Sequence, residues 1–99
     1  MESHLDSRPS LAELMREVCL TAEWHHIGVM LDLDPDKLNA IHHSTTSVSD
    51  KTSDMYKLWL DSKPQATRRQ LVEVLESMDL NRKALDYKKY LKGKITSFA

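Results

Sequence analysis

The sequence predicts an all-α domain built from six short helices. Only two glycines and three prolines occur in the 99 residues, and no run alternates β-branched with polar side chains as a half-buried strand would. Apolar side chains recur instead at helical spacing, and Ser, Thr, Asp or Asn residues stand where they would cap a helix. The connections between these segments are a few residues long, which is typical of a single helical bundle.

The first two helices are predicted before residue 32. Ser10 and Glu13 have the spacing of a capping box, and the helix that they open is expected to run to about Leu20. Its apolar stripe consists of Leu11, Leu14, Met15 and Val18. The second helix is predicted from Ala22 to Leu31, with one apolar face formed by Trp24, Ile27, Met30 and Leu31.

The third helix is predicted from Pro35 to about His43, with Asp34 as its N-cap. Leu33 and Leu38 have the spacing of a hydrophobic staple across its start. A polar loop follows, and either Ser49 or Asp50 caps the fourth helix. That helix has the core residues Met55, Leu58 and Trp59 and ends before Pro64.

The last two helices begin at clear capping positions. Thr67 and Gln70 form a second capping box, and Asn81 is the predicted cap of the sixth helix. Gly93 is the expected stop of that helix. The domain is therefore predicted over residues 10–93, with flexible ends at residues 1–9 and 94–99. The predicted core comprises Leu14, Val18, Trp24, Ile27, Leu31, Leu38, Ile41, Met55, Leu58, Trp59, Leu71, Val74, Leu75 and Leu85.

The charges are segregated along the chain although the net charge is only −1. Residues 1–36 contain eight acids and two bases, a net charge of −6, whereas residues 63–94 contain nine bases and four acids, a net charge of +5. If the two halves occupy different faces, one copy can attract another head to tail. The predicted acidic interaction face consists of Glu13, Glu17, Glu23, Asp32, Asp34 and Asp36. The predicted basic interaction face consists of Arg68, Arg69, Arg82, Lys83, Lys88 and Lys89.

Three segments in order resemble the death domain family over roughly Ser10 to Gly93. They are W-x-x-I-G-x-x-L-x-L in Trp24–Leu33, D-x-x-K-L-x-x-I ending at Ile41, and M-Y-K-L-W-L followed by A-T-R-R-Q-L-V-E-V-L in Met55–Leu75. The resemblance implies a six-helix antiparallel bundle of Greek-key topology that acts by binding similar domains. Such domains occur in receptors and adaptors of apoptotic or inflammatory signalling. The partners implied are other death-domain proteins, including further copies of this chain, and no small-molecule substrate.

Other functions find less support in the residues. The pairs His25-His26 and His42-His43 invite a metal site, but neighbours on a helix point ~100° apart, so one from each pair at most can converge. No nucleophile elbow or phosphate-binding glycine loop is present, so neither an enzyme nor a cofactor is expected. The alternative function is nucleic-acid binding through the basic C-terminal helices, against which the acidic first 36 residues would repel phosphates.

The compartment is predicted from Cys19 and from hydropathy. A single cysteine cannot form an internal disulfide and fits a reducing compartment such as the cytosol. No apolar run approaches the ~20 residues that a membrane span requires, and the first ten residues lack the apolar core of a signal peptide. We therefore expect a cytoplasmic domain.

Overall fold

The computed structural model describes residues 5–44 and 46–97, and these form six helices and no strand. The helices are α1 (Leu11–Glu17), α2 (Trp24–Met30), α3 (Pro35–Ser44), α4 (Val48–Ser62), α5 (Arg68–Ser77) and α6 (Asn81–Ser97). Helix α4 packs against α1, α2 and α3, while α5 packs against α6 and α2. A contact between α1 and α6 closes the bundle.

Capping interactions explain most of the helix starts. The hydroxyl oxygens of Ser10 and Thr67 accept hydrogen bonds from the third backbone amides of α1 and α5, and the Thr67–Gln70 capping box is confirmed. The start of α4 differs from both alternatives predicted for it. Ser47 is the cap, because its extended backbone lets the hydroxyl accept from the Asp50 amide.

Helices α2 and α5 end in the same kind of turn. The second residue after each helix end, Asp32 or Asp79, has a left-handed backbone with φ of 65° or 61°. The next amides, those of Leu33 and Leu80, then donate to carbonyls five residues back, at 3.1 Å and 2.8 Å. This is the Schellman arrangement, with an aspartate where glycine is usual. Because of this turn, α3 and α6 each begin within a few residues of the end of the preceding helix.

Several predicted helix ends are wrong. Helix α1 stops at Glu17, three residues before Leu20, because Val18 leaves the helical region with φ −128° and ψ 73°. Helix α6 continues through Gly93 to Ser97. Gly93 does not adopt the positive φ that a glycine stop requires. Residues 94–97 therefore belong to α6, and residues 98 and 99 lie outside the described residues.

Part of the predicted flexible N-terminal end contacts the start of α5, and residues 1–4 lie outside the described residues. The carbonyls of Ser7 and Leu5 accept hydrogen bonds from the amides of Arg68 and Arg69, at 3.1 Å and 2.7 Å. The Arg8 guanidinium donates to the Lys63 carbonyl at 3.0 Å, near the end of α4. Residues 5–9 thus cover the connection between α4 and α5 and complete the capping of α5.

The core is close to the predicted one. Trp59 and Trp24 are buried, and Tyr56, Tyr87 and Leu38 are completely enclosed. Leu85 is a wrong prediction, because its side chain is 48% exposed. The inward stripe of α6 is instead formed by Ala84, Tyr87 and Leu91. Met30 is also largely exposed, and Ile41, Leu58 and Val74 are only partly buried.

Gly28 allows α2 to approach α3 and α4 closely. A Cβ atom added at Gly28 would lie 2.7 Å from Leu38 Cδ2 and 3.2 Å from Met55 Cγ. Both of these side chains are enclosed in the core, so neither has space to move away. At Gly93, by contrast, an added Cβ would meet nothing within 4 Å.

We expect Gly28→Ala to destabilise the domain by about 1–2 kcal/mol, since overpacking outweighs the gain in helix propensity. Gly93→Ala is the matched control and should raise the free energy of unfolding by about 0.5–1 kcal/mol. Urea unfolding of both variants measures these changes. Stabilisation by Gly28→Ala, or marked destabilisation by Gly93→Ala, would contradict the packing of α2 or the continuation of α6.

Candidate interaction surfaces

A buried ion pair joins α1 to the start of α5. The Glu13 carboxylate accepts two hydrogen bonds from the Arg68 guanidinium, from Nε at 2.7 Å and from Nη2 at 2.8 Å. The Tyr87 hydroxyl of α6 donates to the same carboxylate. The side chains of Glu13 and Arg68 are only 5% and 10% exposed. One carboxylate therefore connects three helices.

The environment of this cluster raises the pKa values of Arg68 and Tyr87. The hydrogen bond to Glu13 raises the pKa of Arg68, which keeps the guanidinium charged. Burial, followed by the hydrogen bond to Glu13, raises the pKa of Tyr87 well above its usual value. Tyr87 thus stays protonated and acts as a donor.

The position of the pair corrects both predicted interaction faces. The sequence predicts Glu13 on the acidic face and Arg68 on the basic face, but they are buried against each other inside the bundle. Neither is available to a partner. The Glu13 carboxylate binds Arg68 and Tyr87, while the Glu13 backbone amide donates to the Ser10 hydroxyl.

Other predicted interface residues form ion pairs within the domain. Arg69 pairs with Asp6 at 2.8 Å, and Lys88 pairs with Glu76 at 2.7 Å. The remaining pairs are Glu17 with Arg16, Glu23 with Lys83, Asp32 with Lys63, and Arg82 with Asp86. Most of these groups are substantially exposed, so the pairs contribute little stability and can exchange partners.

Three aspartates remain exposed where α2 turns into α3. Asp32 occupies the left-handed position of the turn, and its side chain is 96% exposed. Asp34 accepts from the Asp36 amide at 3.0 Å and so caps α3. Asp36 lies in the first turn of that helix. We call Asp32, Asp34 and Asp36 the acidic corner.

The outer side of α6 carries the exposed bases. Arg82, Lys89 and Lys92 follow one another at helical spacing, and Leu85 lies among them. We call Arg82, Leu85, Lys89 and Lys92 the basic stripe. Helix α6 packs against α5 and α1, whereas α3 packs against α2 and α4. Within the described residues, helix α3, at the acidic corner, and helix α6, which carries the basic stripe, do not contact each other.

An apolar groove lies between the end of α2, the end of α4 and α5. It has a volume of about 690 Å³, and Met30, Pro64 and Val74 form part of its lining. Asp32, Lys63 and Glu73 stand along it. Met30 belongs to the apolar stripe of α2, but it lines this groove instead of the core and is 44% exposed.

Two histidine rings lie beside Trp24 where α2 meets α3. The rings of His25 and His42 lie 5.3 Å and 6.4 Å from the Trp24 ring, between centroids. Lys51 Nζ is 3.3 Å from His42 Nδ1, and the charge of Lys51 lowers the pKa of His42. Among the residues that the structure describes, no three His, Cys, Asp or Glu side chains group as a metal site.

Two further observations concern the environment of Cys19 and the capacity of the helices to span a membrane. Cys19 is exposed, and its Sγ donates to the Met15 carbonyl at 3.3 Å. Within the described part of the chain, no helix combines the length and the apolar character needed to cross a bilayer.

These features define an all-helical domain whose buried polar groups hold its helices together and whose exposed charges form separate surfaces. The family model described as the death domain matches residues 8–91, and the chain belongs to that family. Comparisons with curated proteins and with solved structures found no match. The predicted all-α death fold is confirmed, and this family consists of protein–protein interaction modules rather than enzymes.

The buried pair can be tested against an exposed neighbour. We expect Arg68→Met to cost about 3 kcal/mol, because it leaves the Glu13 carboxylate buried without its counter-charge. Arg69→Met is the matched control and should cost no more than about 1 kcal/mol, since Arg69 and Asp6 are exposed. Denaturant unfolding gives both values.

A double-mutant cycle with Glu13→Gln isolates the interaction. The two substitutions together should cost less than the sum of the single costs, by about 1–3 kcal/mol. Equal costs for Arg68→Met and Arg69→Met, or additive costs in the cycle, would show that the pair is not buried as described.

Proposed function

We propose that this death domain assembles with other death domains, including copies of itself, through attraction between the acidic corner of one and the basic stripe of the next. The observation that carries the proposal is the exposure of opposite charges on α3 and α6, two helices that do not touch. Because the two surfaces differ, each copy can bind two neighbours at once. Such a heterologous contact gives chains or rings of copies rather than a closed symmetric dimer.

The local charge on each surface supports this arrangement. Residues 32–36 contain three aspartates and no base, whereas residues 81–92 of α6 contain five bases and one acid. Opposite potentials of this kind accelerate encounter and select the relative orientation of two proteins. The contribution should depend on salt, because exposed charges are screened beyond ~10 Å at 0.1 M ionic strength.

The family supplies the biological setting of the proposal. Death domains bind similar domains, and we infer a role as an adaptor or receptor module in apoptotic or inflammatory signal transduction in the cytoplasm. Cys19 supports a reducing compartment, since its exposed thiol has no second cysteine to pair with in the chain.

Nucleic-acid binding through α6 finds less support. Lys83 and Lys88 of α6 are engaged with the carboxylates of Glu23 and Glu76. Asp86 lies within the same helix and contacts Arg82 at 3.5 Å. Phosphates approaching α6 would meet these acids, which reduces the attraction that a duplex requires.

Charge reversals at exposed positions test the proposal without unfolding the domain. One variant combines Arg82→Glu with Lys89→Glu on the basic stripe. The other combines Asp32→Asn with Asp36→Lys on the acidic corner. Asparagine tolerates the positive φ of Asp32, and the loss at Asp36 is only ~0.3–1 kcal/mol of helix-dipole interaction. The control for the basic-stripe variant is Lys51→Glu with Lys57→Glu on α4, which makes the same change in charge on a different helix.

We expect the wild type and the control to associate at low salt and to dissociate toward ~0.5 M salt in sedimentation velocity runs. Each reversed variant alone should remain monomeric. An equimolar mixture of the two should form pairs but no larger species, because each retains the surface that the other lacks. Association of either variant like the wild type would refute the electrostatic mechanism. Salt-sensitive binding of the wild type to random duplex DNA, lost in the α6 variant, would favour nucleic acid.

A further inference from the structure

The exposed leucine of the basic stripe has no explanation within one molecule. Leu85 is 48% exposed, on the side of α6 away from the inward residues Ala84 and Tyr87. Arg82 lies about one turn before it and Lys89 one turn after it, so that an apolar side chain stands between two cations. An apolar anchor surrounded by charges is the usual composition of a binding hot spot.

The apolar groove between α2, α4 and α5 has the complementary composition. Met30 and Val74 present apolar surface, and Asp32 and Glu73 place carboxylates along it. Lys63 is the cation among its lining residues, and it lies 3.5 Å from Asp32. The groove thus offers apolar contact together with one more acid than base.

If a helix α6 occupies the groove, that helix must belong to a second copy of the chain. The lining of the groove comes from α2 and its turn, from α4 and the residues after it, and from α5, with none from α6. The α6 of the same chain packs on α5 and α1, with Tyr87 and Leu91 buried. Asp32 belongs both to the acidic corner and to the groove, so the two features form one continuous surface.

We propose that Leu85 of one copy inserts into the apolar groove of the next, with Arg82 and Lys89 placed against Asp32 and Glu73. This inference rests on the proposed charge-driven association and adds its apolar centre. The charges supply orientation and speed of encounter, and burial of Leu85 beside Met30 and Val74 excludes water from the contact. A volume of about 690 Å³ accommodates a leucine together with the aliphatic stems of its basic neighbours.

The contact can be observed at Met30 in a complex limited to one interface. The receiving copy carries Arg82→Glu with Lys89→Glu and is labelled with ¹³C at its methionine methyl groups, so that only its groove side can bind. The donating copy is unlabelled and carries Asp32→Asn with Asp36→Lys, so that only its α6 can bind. On titration, we expect the Met30 methyl signal to shift, while that of the enclosed Met55 changes little.

The role of Leu85 is measured with a second substitution in the donating copy. Leu85→Ala should weaken binding about tenfold, as expected for removal of a central apolar anchor. Val48→Ala is the matched control, because Val48 is another apolar residue that is 41% exposed. It should leave the affinity unchanged. Both substitutions are at exposed positions, and circular dichroism verifies that the fold is retained.

The outcomes separate this inference from the proposal on which it rests. If the complex forms but the Met30 signal does not move, or if Leu85→Ala binds as tightly as Val48→Ala, the insertion of Leu85 is refuted and charge-driven association stands. If no complex forms between the two charge variants, the association itself is refuted and the insertion with it.

Discussion

The contact between the Glu13 carboxylate and the Arg68 guanidinium holds the first helix against the fifth. It joins α1 to α5 across 55 residues of sequence, and the Tyr87 hydroxyl adds α6 to the same carboxylate. Burying two charges is costly, and good geometry with further hydrogen bonds offsets that cost. The bidentate geometry and the tyrosine donor meet this condition. Because Tyr87 points inward to reach Glu13, the opposite side of α6 is left facing solvent.

This constraint divides the charged residues into two groups. Glu13 and Arg68 serve the fold, while Asp32, Asp36 and Lys89 remain on the surface. The segregation of charge along the sequence therefore has two consequences. The buried pair holds the first helix against the last two, and the exposed charges include the acidic corner and the basic stripe. Only the exposed charges are available for binding partners.

Local patterns in the sequence were sufficient for the six helices and for most of the core. Apolar periodicity predicts the burial of Trp59, Trp24 and Leu38. The Thr67–Gln70 capping box depends only on residues close in sequence, so it is also predictable. The start of α4 was missed because Ser47, Ser49 and Asp50 are all good caps. The turns at Asp32 and Asp79 lack glycine, so the sequence carries little signal for a left-handed residue.

The interaction surfaces were harder to predict, because they depend on contacts between distant residues. In the sequence, Glu13 and Asp36 are both acids that lie outside the apolar stripe of their helix. In the structure, Glu13 is buried and Asp36 is exposed. The one local signal was Tyr87, since a tyrosine on the inward stripe of a helix requires a hydrogen-bond partner for its hydroxyl. Leu85 was misplaced for a related reason. Apolar residues at 84, 85, 87 and 91 allow more than one rotation of α6, and packing against α5 and α1 selects among them.

Arg68 is a buried structural group, and we propose that Arg82 is a surface binding group. Hydrogen exchange and chemical shifts of the arginine Nε–H groups, followed by NMR as the protein concentration is raised, test it most directly. The account predicts that the Arg68 Nε proton exchanges slowly and keeps its chemical shift, whereas the Arg82 signal shifts as the copies associate. Fast exchange at Arg68, or an Arg68 shift that follows association while Arg82 stays constant, would contradict it.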